Sequence, residues 1–250
     1  MRVVTSRDEL GRGSGGRRGV VMTMGALHEG HASLIRAARE RDDEVTVTIF
    51  VNPMQFGAGE DLDRYPRTLQ ADLELCENLG VDTVYTPAVA DVYRRPPLVT
   101  INPGVLGTEL EGAARPGHFE GMLTVVFKLL QLTRPHDAFF GEKDYQHLTL
   151  IRSMAMDLDL DVDIVGVQTA READGLARSS RNVYLSTEQR AQAAAIPRAL
   201  QAAAHETDAD TIAAVAAEHL AGLDVDYAVV RSSQMGPVQP GEGQIGRAHV

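Results

Sequence analysis

Val20-Val21-Met22-Thr23-Met24-Gly25-Ala26-Leu27-His28-Glu29-Gly30-His31 decides the fold. Its first half is an apolar, β-branched run that reads as a buried strand. A glycine follows, and residues 33–41 then place Leu34, Ile35, Ala37 and Ala38 at helical spacing. The same order returns more than a hundred residues later. The strand tip Ala138-Phe139-Phe140 passes through Gly141-Glu142-Lys143-Asp144 into a helical pattern over 146–158. In an open α/β sheet, turns of this kind lie together at the carboxyl ends of the strands, where ligands bind.

The segments between and beyond these blocks keep the alternation. Residues 45–51 form the strongest strand signal and end at Asn52-Pro53, while 68–79 read as a helix stopped by Gly80. Residues 81–85 and 162–167 read as strands, and 122–132 as a helix. Strands alternating with helices predict an α/β fold with a parallel, doubly wound sheet. No repeat at solenoid spacing is present. After Asn182 the pattern changes to Ala-rich helices over 187–204 and 211–220 and one strand over 225–230. The boundary is placed near 169–180, giving a domain over 1–170 and a smaller α+β domain over 171–250. The stretch Gly11-Arg12-Gly13-Ser14-Gly15-Gly16-Arg17-Arg18-Gly19 reads as a short mobile loop. It is too brief and too poor in aromatics for an RNA-binding tract.

A net charge of −11 argues against general binding to nucleic acid or to membrane surfaces, both of which repel an acidic protein. Cys76 is the only cysteine, so neither an intramolecular disulfide nor a cysteine metal cluster can form, and a reducing, cytoplasmic setting is expected. The sequence opens without an apolar signal region, and no run approaches a membrane span.

His28 and His31 are the sharpest candidates. Around them Gly25 and Gly30 lack Cβ, so backbone can approach a ligand, and the helix start offers N–H groups and a positive dipole end. Imidazoles there can donate to phosphate oxygens. As a zinc site the pair is weaker, because no third His or Cys ligand stands nearby. Lys143 supplies a cation, and Glu142 and Asp144 offer hard oxygens for Mg²⁺, although Glu-Lys-Asp is also a common solvated turn. Asn52 and Gln55 offer amides at a strand end, or merely cap a turn. Arg178-Ser179-Ser180-Arg181-Asn182 reads either as a phosphate-gripping loop or as an interdomain linker. Arg115 and His118 sit in a Gly-rich loop expected to edge the cleft. The alternating Asp157, Asp159, Asp161 and Asp163 lack the glycine and final Glu of a calcium loop and read as a solvated strand edge.

Taken together, 24–31, Phe50-Val51-Asn52-Pro53-Met54-Gln55-Phe56, Tyr65-Pro66-Arg67-Thr68, Arg115-Pro116-Gly117-His118-Phe119, 141–146 and Ser179-Ser180-Arg181-Asn182 resemble the pantoate–β-alanine ligases. These belong to the nucleotidyltransferase superfamily with a "HIGH"-type motif. The resemblance covers about residues 20–231. It implies a Rossmann-like domain with a small C-terminal domain, a homodimer, and condensation of pantoate with β-alanine through a pantoyl-adenylate, at the expense of ATP with Mg²⁺. It assigns Met24, Gly25, Ala26, Leu27, His28, Glu29, Gly30 and His31 to the ATP site, with His31 as proton donor. Gly141, Glu142, Lys143, Ala170, Arg178, Ser179, Ser180 and Arg181 complete that site. Asp144 falls near the metal, and Gln55, Asn52 and His147 on the pantoate and β-alanine side.

This sequence departs from the family pattern at His147, where a pantoate-contacting Gln is usual, at Arg178, usually apolar, and at Met22, usually Pro. Weakened activity is therefore expected. The closing Gln244-Ile245-Gly246-Arg247-Ala248-His249-Val250 matches one reading frame of a common sequencing adapter. It is read as an artefact of a truncated gene, which would leave 225–230 without sheet partners. The competing readings are another nucleotidyltransferase of the superfamily, or an ATP-binding remnant without catalysis.

Overall fold

A computed structural model of the protein describes residues 1–11, 15–57, 59–238 and the backbone of 244–249. It divides into two compact units, Met1–Thr169 and Ala170–Val250.

The first unit is built on six parallel strands: β1 (Arg2–Val4), β2 (Arg18–Thr23), β3 (Glu44–Ile49), β4 (Thr83–Tyr85), β5 (Asp137–Gly141) and β6 (Asp163–Val167). Their order across the sheet is β1-β4-β3-β2-β5-β6. The chain winds outward from β2 to β4 and then returns to β5 on the other side. That reversal makes the gap between β2 and β5 the topological switch point of a Rossmann-like sheet. Register pairs Val21 with Phe139; two residues further on come Thr23 and Gly141, the ends of both strands.

Helices cover both faces, which is why the central strands read as continuous apolar runs. On one face Val21, Val45, Val47, Val84 and Phe139 pack with Leu34, Ile35 and Ala38 of α1 (Glu29–Arg41) and Cys76 of α2 (Leu69–Asn78). On the other, Val20, Ala138 and Phe140 meet the short α3 (Val89–Val92), α5 (His118–Thr133) and α6 (Tyr145–Asp157), with α4 (Glu111–Ala114) leading into α5. The amino ends of the strands are closed by charge. Buried Asp137 takes Arg17 Nε at 2.5 Å and Arg41 Nε at 2.6 Å, and Asp163 binds both arginines. Asp42 lies buried beside this group.

Several expectations need correction. Arg18 and Gly19 open β2 and Arg17 is ion-paired, so the expected loop does not extend over 17–19, and its residues 12–14 lie outside the described residues. The aspartates at 157, 159, 161 and 163 are all exposed and lead into the edge strand β6, as expected, although Asp157 belongs to α6 and Asp163 also binds two arginines. Strand β1 is too short for periodicity to reveal.

The second unit holds α7 (Thr187–Ala193), α8 (Ala195–Ala203), α9 (Ala209–His219) and the antiparallel strands β7 (Tyr227–Ser232) and β8 (Gln244–His249). The single helix expected over 187–204 is broken at Ala194, two residues before the Ile196-Pro197 step. The expected unpaired edge is also corrected: β7 pairs along its length with β8.

Candidate active site

At the end of β2 the chain turns sharply through Gly25 and Ala26, both at positive φ (86° and 50°). The turn is held by Asp72 of α2, which is 2% exposed. Its carboxylate accepts the N–H groups of Ala26 (3.0 Å) and Leu27 (2.8 Å) and the Thr68 hydroxyl (3.0 Å). Sequence reasoning missed Asp72. The available signal was a charge on the face of the 68–79 helix that also carries Cys76, four residues on and one turn away.

His28 then caps α1. Its Nδ1 accepts the Gly30 N–H at 3.0 Å, while His31 Nδ1 accepts the His28 N–H at 3.2 Å. An amide N–H can only donate, so both Nδ1 atoms carry lone pairs and both neutral rings hold their proton on Nε2. The rings lie 4.2 Å apart. Gly30 is required because His28 folds back over it: a Cβ there would come 2.8 Å from His28 Cε1. This narrows the expectation that backbone N–H groups at the helix start await a ligand. The amides of Ala26, Leu27, His28, Gly30 and His31 all have protein partners. With both Nδ1 atoms accepting, the imidazoles present Nε2–H as their donor.

Burial pushes His31 down to about 3, with the neighbouring His28 and Lys143 acting in the same direction. His31 is therefore a neutral hydrogen-bond donor at neutral pH, not a stored proton. Lys143 stands in the turn Glu142–Asp144 at the end of β5, its Nζ 3.1 Å from Asp144 Oδ1. The Asp144 side chain is 62% exposed, and Glu29 is paired with Arg36 on the surface.

Beyond β3, Asn52 is only 1% exposed and its amide is fully engaged by the protein. It supports the site from behind. Gln55 is held at its carbonyl by His118 Nδ1–H (2.9 Å) and an Arg115 N–H (3.4 Å). Burial lowers the His118 pKa, opposed by that bond to Gln55. The Arg115 charge is met by Glu60 at 2.5 Å and Glu111 at 3.4 Å. His147, on α6, has a buried Nε2 with no protein partner, and burial pushes its pKa to about 4.

These residues sit on a frame shared with known proteins. Residues 2–245 match the pantoate-beta-alanine ligase family. The chain belongs to the pantoate–β-alanine ligase family. Among curated relatives, pantothenate synthetase 4 of Frankia alni is 59% identical over 231 residues, which are 90% of this chain and 76% of that protein. The pantothenate synthetase of Salinispora arenicola is 56% identical over 94% of this chain and 88% of its own. Two solved ligases align closely. Thermus thermophilus pantothenate synthetase has a TM-score of 0.91 at 39% identity, covering all of this chain and 95% of its own. The Francisella tularensis ligase, complexed with β-γ ATP and β-alanine, has a TM-score of 0.81 at 35% identity, covering 91% and 88%.

In the second unit of this family member, the 178–182 stretch is internally ordered. Ser179 Oγ caps the turn Ser180–Tyr184 by accepting the Arg181 N–H at 3.2 Å. Arg178 N–H donates to the Ala170 carbonyl at 2.9 Å, so that carbonyl has one lone pair already engaged. Glu172 and Asp174 hold Arg190 at 2.7 Å each. Among the described residues no helix is long and apolar enough to cross a membrane.

Proposed function

We propose that this ligase forms pantoyl-adenylate at the end of β2 and β5, with the His28–His31 ring pair, both Nδ1 atoms turned to backbone N–H groups, as the observation that carries the assignment. A pantoate carboxylate oxygen attacks the α-phosphorus of ATP. That P–O bond forms as the bond to the bridging oxygen breaks, and pyrophosphate leaves. The amine of β-alanine then attacks the acyl carbon, AMP departs, and the amine releases a proton. In this reading the Nε2–H groups of His28 and His31 donate to phosphate oxygens as charge develops there. Lys143 neutralises the polyphosphate, and Ser179, Ser180 and Arg181 add donors to it. Gln55 and His147 bind pantoate.

Mg²⁺ fits the donor set. Asp144 is a single, largely exposed carboxylate, and among the described residues no three His, Cys, Asp or Glu side chains form a metal cage. That suits an ion held by one carboxylate and substrate phosphates. When bound, it supplies further charge neutralisation. The homodimer and cytoplasmic setting implied by the resemblance stand as proposals, the latter supported by the lone, buried Cys76.

AMP formation by the purified protein from ATP, Mg²⁺ and pantoate, with and without β-alanine, tests the assignment. Release that needs all substrates is the expected result. Nucleotide binding without turnover would replace it with a non-catalytic remnant, and light scattering settles the dimer.

A further inference from the structure

The orientation of the Gln55 amide is fixed by bonds that run away from the ligand side. Asn52 Oδ1 receives two donors, the Tyr93 hydroxyl at 2.8 Å and the Met54 N–H at 3.3 Å. Asn52 Nδ2 faces two acceptors, the Gly121 carbonyl at 3.1 Å and Gln55 Oε1 at 3.2 Å. A backbone N–H at one end and a backbone carbonyl at the other leave only one assignment of the Asn52 oxygen and nitrogen. Gln55 must then turn its oxygen inward and its NH2 outward. The partner of that NH2 in the protein is the thioether of Met24 at 3.4 Å, a weak acceptor.

The frame behind this series of bonds is rigid. Helix α5 lies so close to the 53–55 turn that a Cβ on Gly121 would collide with the Met54 carbonyl. The Tyr93 ring is fixed beside Phe50, centroids 6.2 Å apart, with Lys128 Nζ 5.5 Å from its centre. Burial raises the Tyr93 pKa, so the phenol keeps its proton.

We propose that Tyr93 is a positioning residue that, through Asn52, presents Gln55 to the substrate as a hydrogen-bond donor only. Gln55 thereby reads acceptor oxygens, such as those of the pantoate carboxylate, and rejects a donor at that place. The inference rests on the assignment of Gln55 to pantoate made above. A site with fixed polarity penalises the wrong partner by leaving a buried group unpaired, so the clamp confers selectivity as well as affinity.

Steady-state kinetics on the full-length protein with Tyr93→Phe and Gln55→Glu test it. Tyr93→Phe removes one hydroxyl and is expected to raise the pantoate KM roughly fivefold, the factor for one neutral hydrogen bond, with the ATP KM changed less than about twofold. Gln55→Glu deletes the donor and is expected to raise the pantoate KM more than about thirtyfold. An unchanged pantoate KM in Tyr93→Phe, or retained affinity in Gln55→Glu, overturns the proposal. The side-chain amide NMR signals of Asn52 and Gln55 in the ligand-free protein are a second readout. They shift in Tyr93→Phe if the clamp exists, whether or not the protein turns over pantoate. Failure of the ligase assignment and failure of the clamp are thus separable.

Discussion

Asp72→Asn asks how firmly the turn after β2 must be held. The asparagine has the same shape, but where the carboxylate offers two acceptors it offers one acceptor and one donor. With its oxygen kept on Leu27 N–H, its NH2 meets the Ala26 N–H, donor against donor. Hydrogen bonds to a charged acceptor contribute about 1.5–3 kcal/mol each. Losing the 3.0 Å bond and neutralising the 2.8 Å bond therefore costs about 2–4 kcal/mol. In a domain of this size that lowers Tm by roughly 5–15 °C. The functional effect is separate. Ala26 holds a φ of 50°, a conformation that a non-glycine residue leaves when released. His28, two residues on, then moves with the relaxing turn, and a shift of about 1 Å at a reacting centre costs about a hundredfold. Circular dichroism melts and kinetics with ATP varied read the two effects. A Tm within about 2 °C of the parent, with kcat/KM for ATP unchanged, would refute the role given to Asp72.

The remaining predictions concern charge and shape. Asp42 is pushed up to about 7, first by burial and then by Asp137, which its arginines hold in the charged form. Its stabilising contribution is fully present below about pH 4 and is lost as pH rises through about 7, so Asp42→Asn should flatten the fall of Tm between about pH 4 and 7; an equally steep fall counts against it. Gly30→Ala pushes a Cβ to 2.8 Å from the His28 ring and should cut kcat by about a hundredfold, and unchanged turnover would count against the placement of His28. His147→Gln supplies the amide usual in the family where a buried Nε2 lacks a protein partner, and should lower the pantoate KM roughly fivefold; equal kinetics would remove His147 from the site. Because His31 is depressed to about 3 from an unfolded value near 6.5, the folded protein loses stability as pH falls from about 6.5 towards 3. His31→Asn should weaken that acid loss in a pH series of melts.

The fold was legible because strands buried on both faces advertise themselves as apolar runs, as at 45–51, and because turns after β2 and β5 carried unusual polar residues. What stayed hidden depends on partners distant in sequence. Asp72 is one carboxylate among many until α2 brings it under Ala26 and Leu27. Asn52 looked like a ligand-facing amide, and only its contact with Tyr93, 41 residues away, shows it turned inward. The resemblance implied a proton donor at His31, and residue type reveals neither its burial nor which ring nitrogen is engaged. The helix break at Ala194 and strand β8 escaped for a different reason: alanine-rich and short mixed segments carry almost no periodic signal.

The chemistry of the turn follows from the same bonds. Two rings 4.2 Å apart with Lys143 near them resist a second and third positive charge, which is part of why His31 is neutral. Their Nδ1 atoms close the helix start, so the only way either ring can meet a phosphate is through Nε2–H. The loop thus offers oriented dipoles, already desolvated and held by Asp72, in a protein whose overall charge of −11 repels polyphosphate. Fixed donors of this kind need no reorganisation as charge moves onto the phosphate oxygens. In the proposed function, capping the helix and recognising the nucleotide are therefore two ends of one imidazole. A substitution that spares Nε2 but removes Nδ1 should damage both.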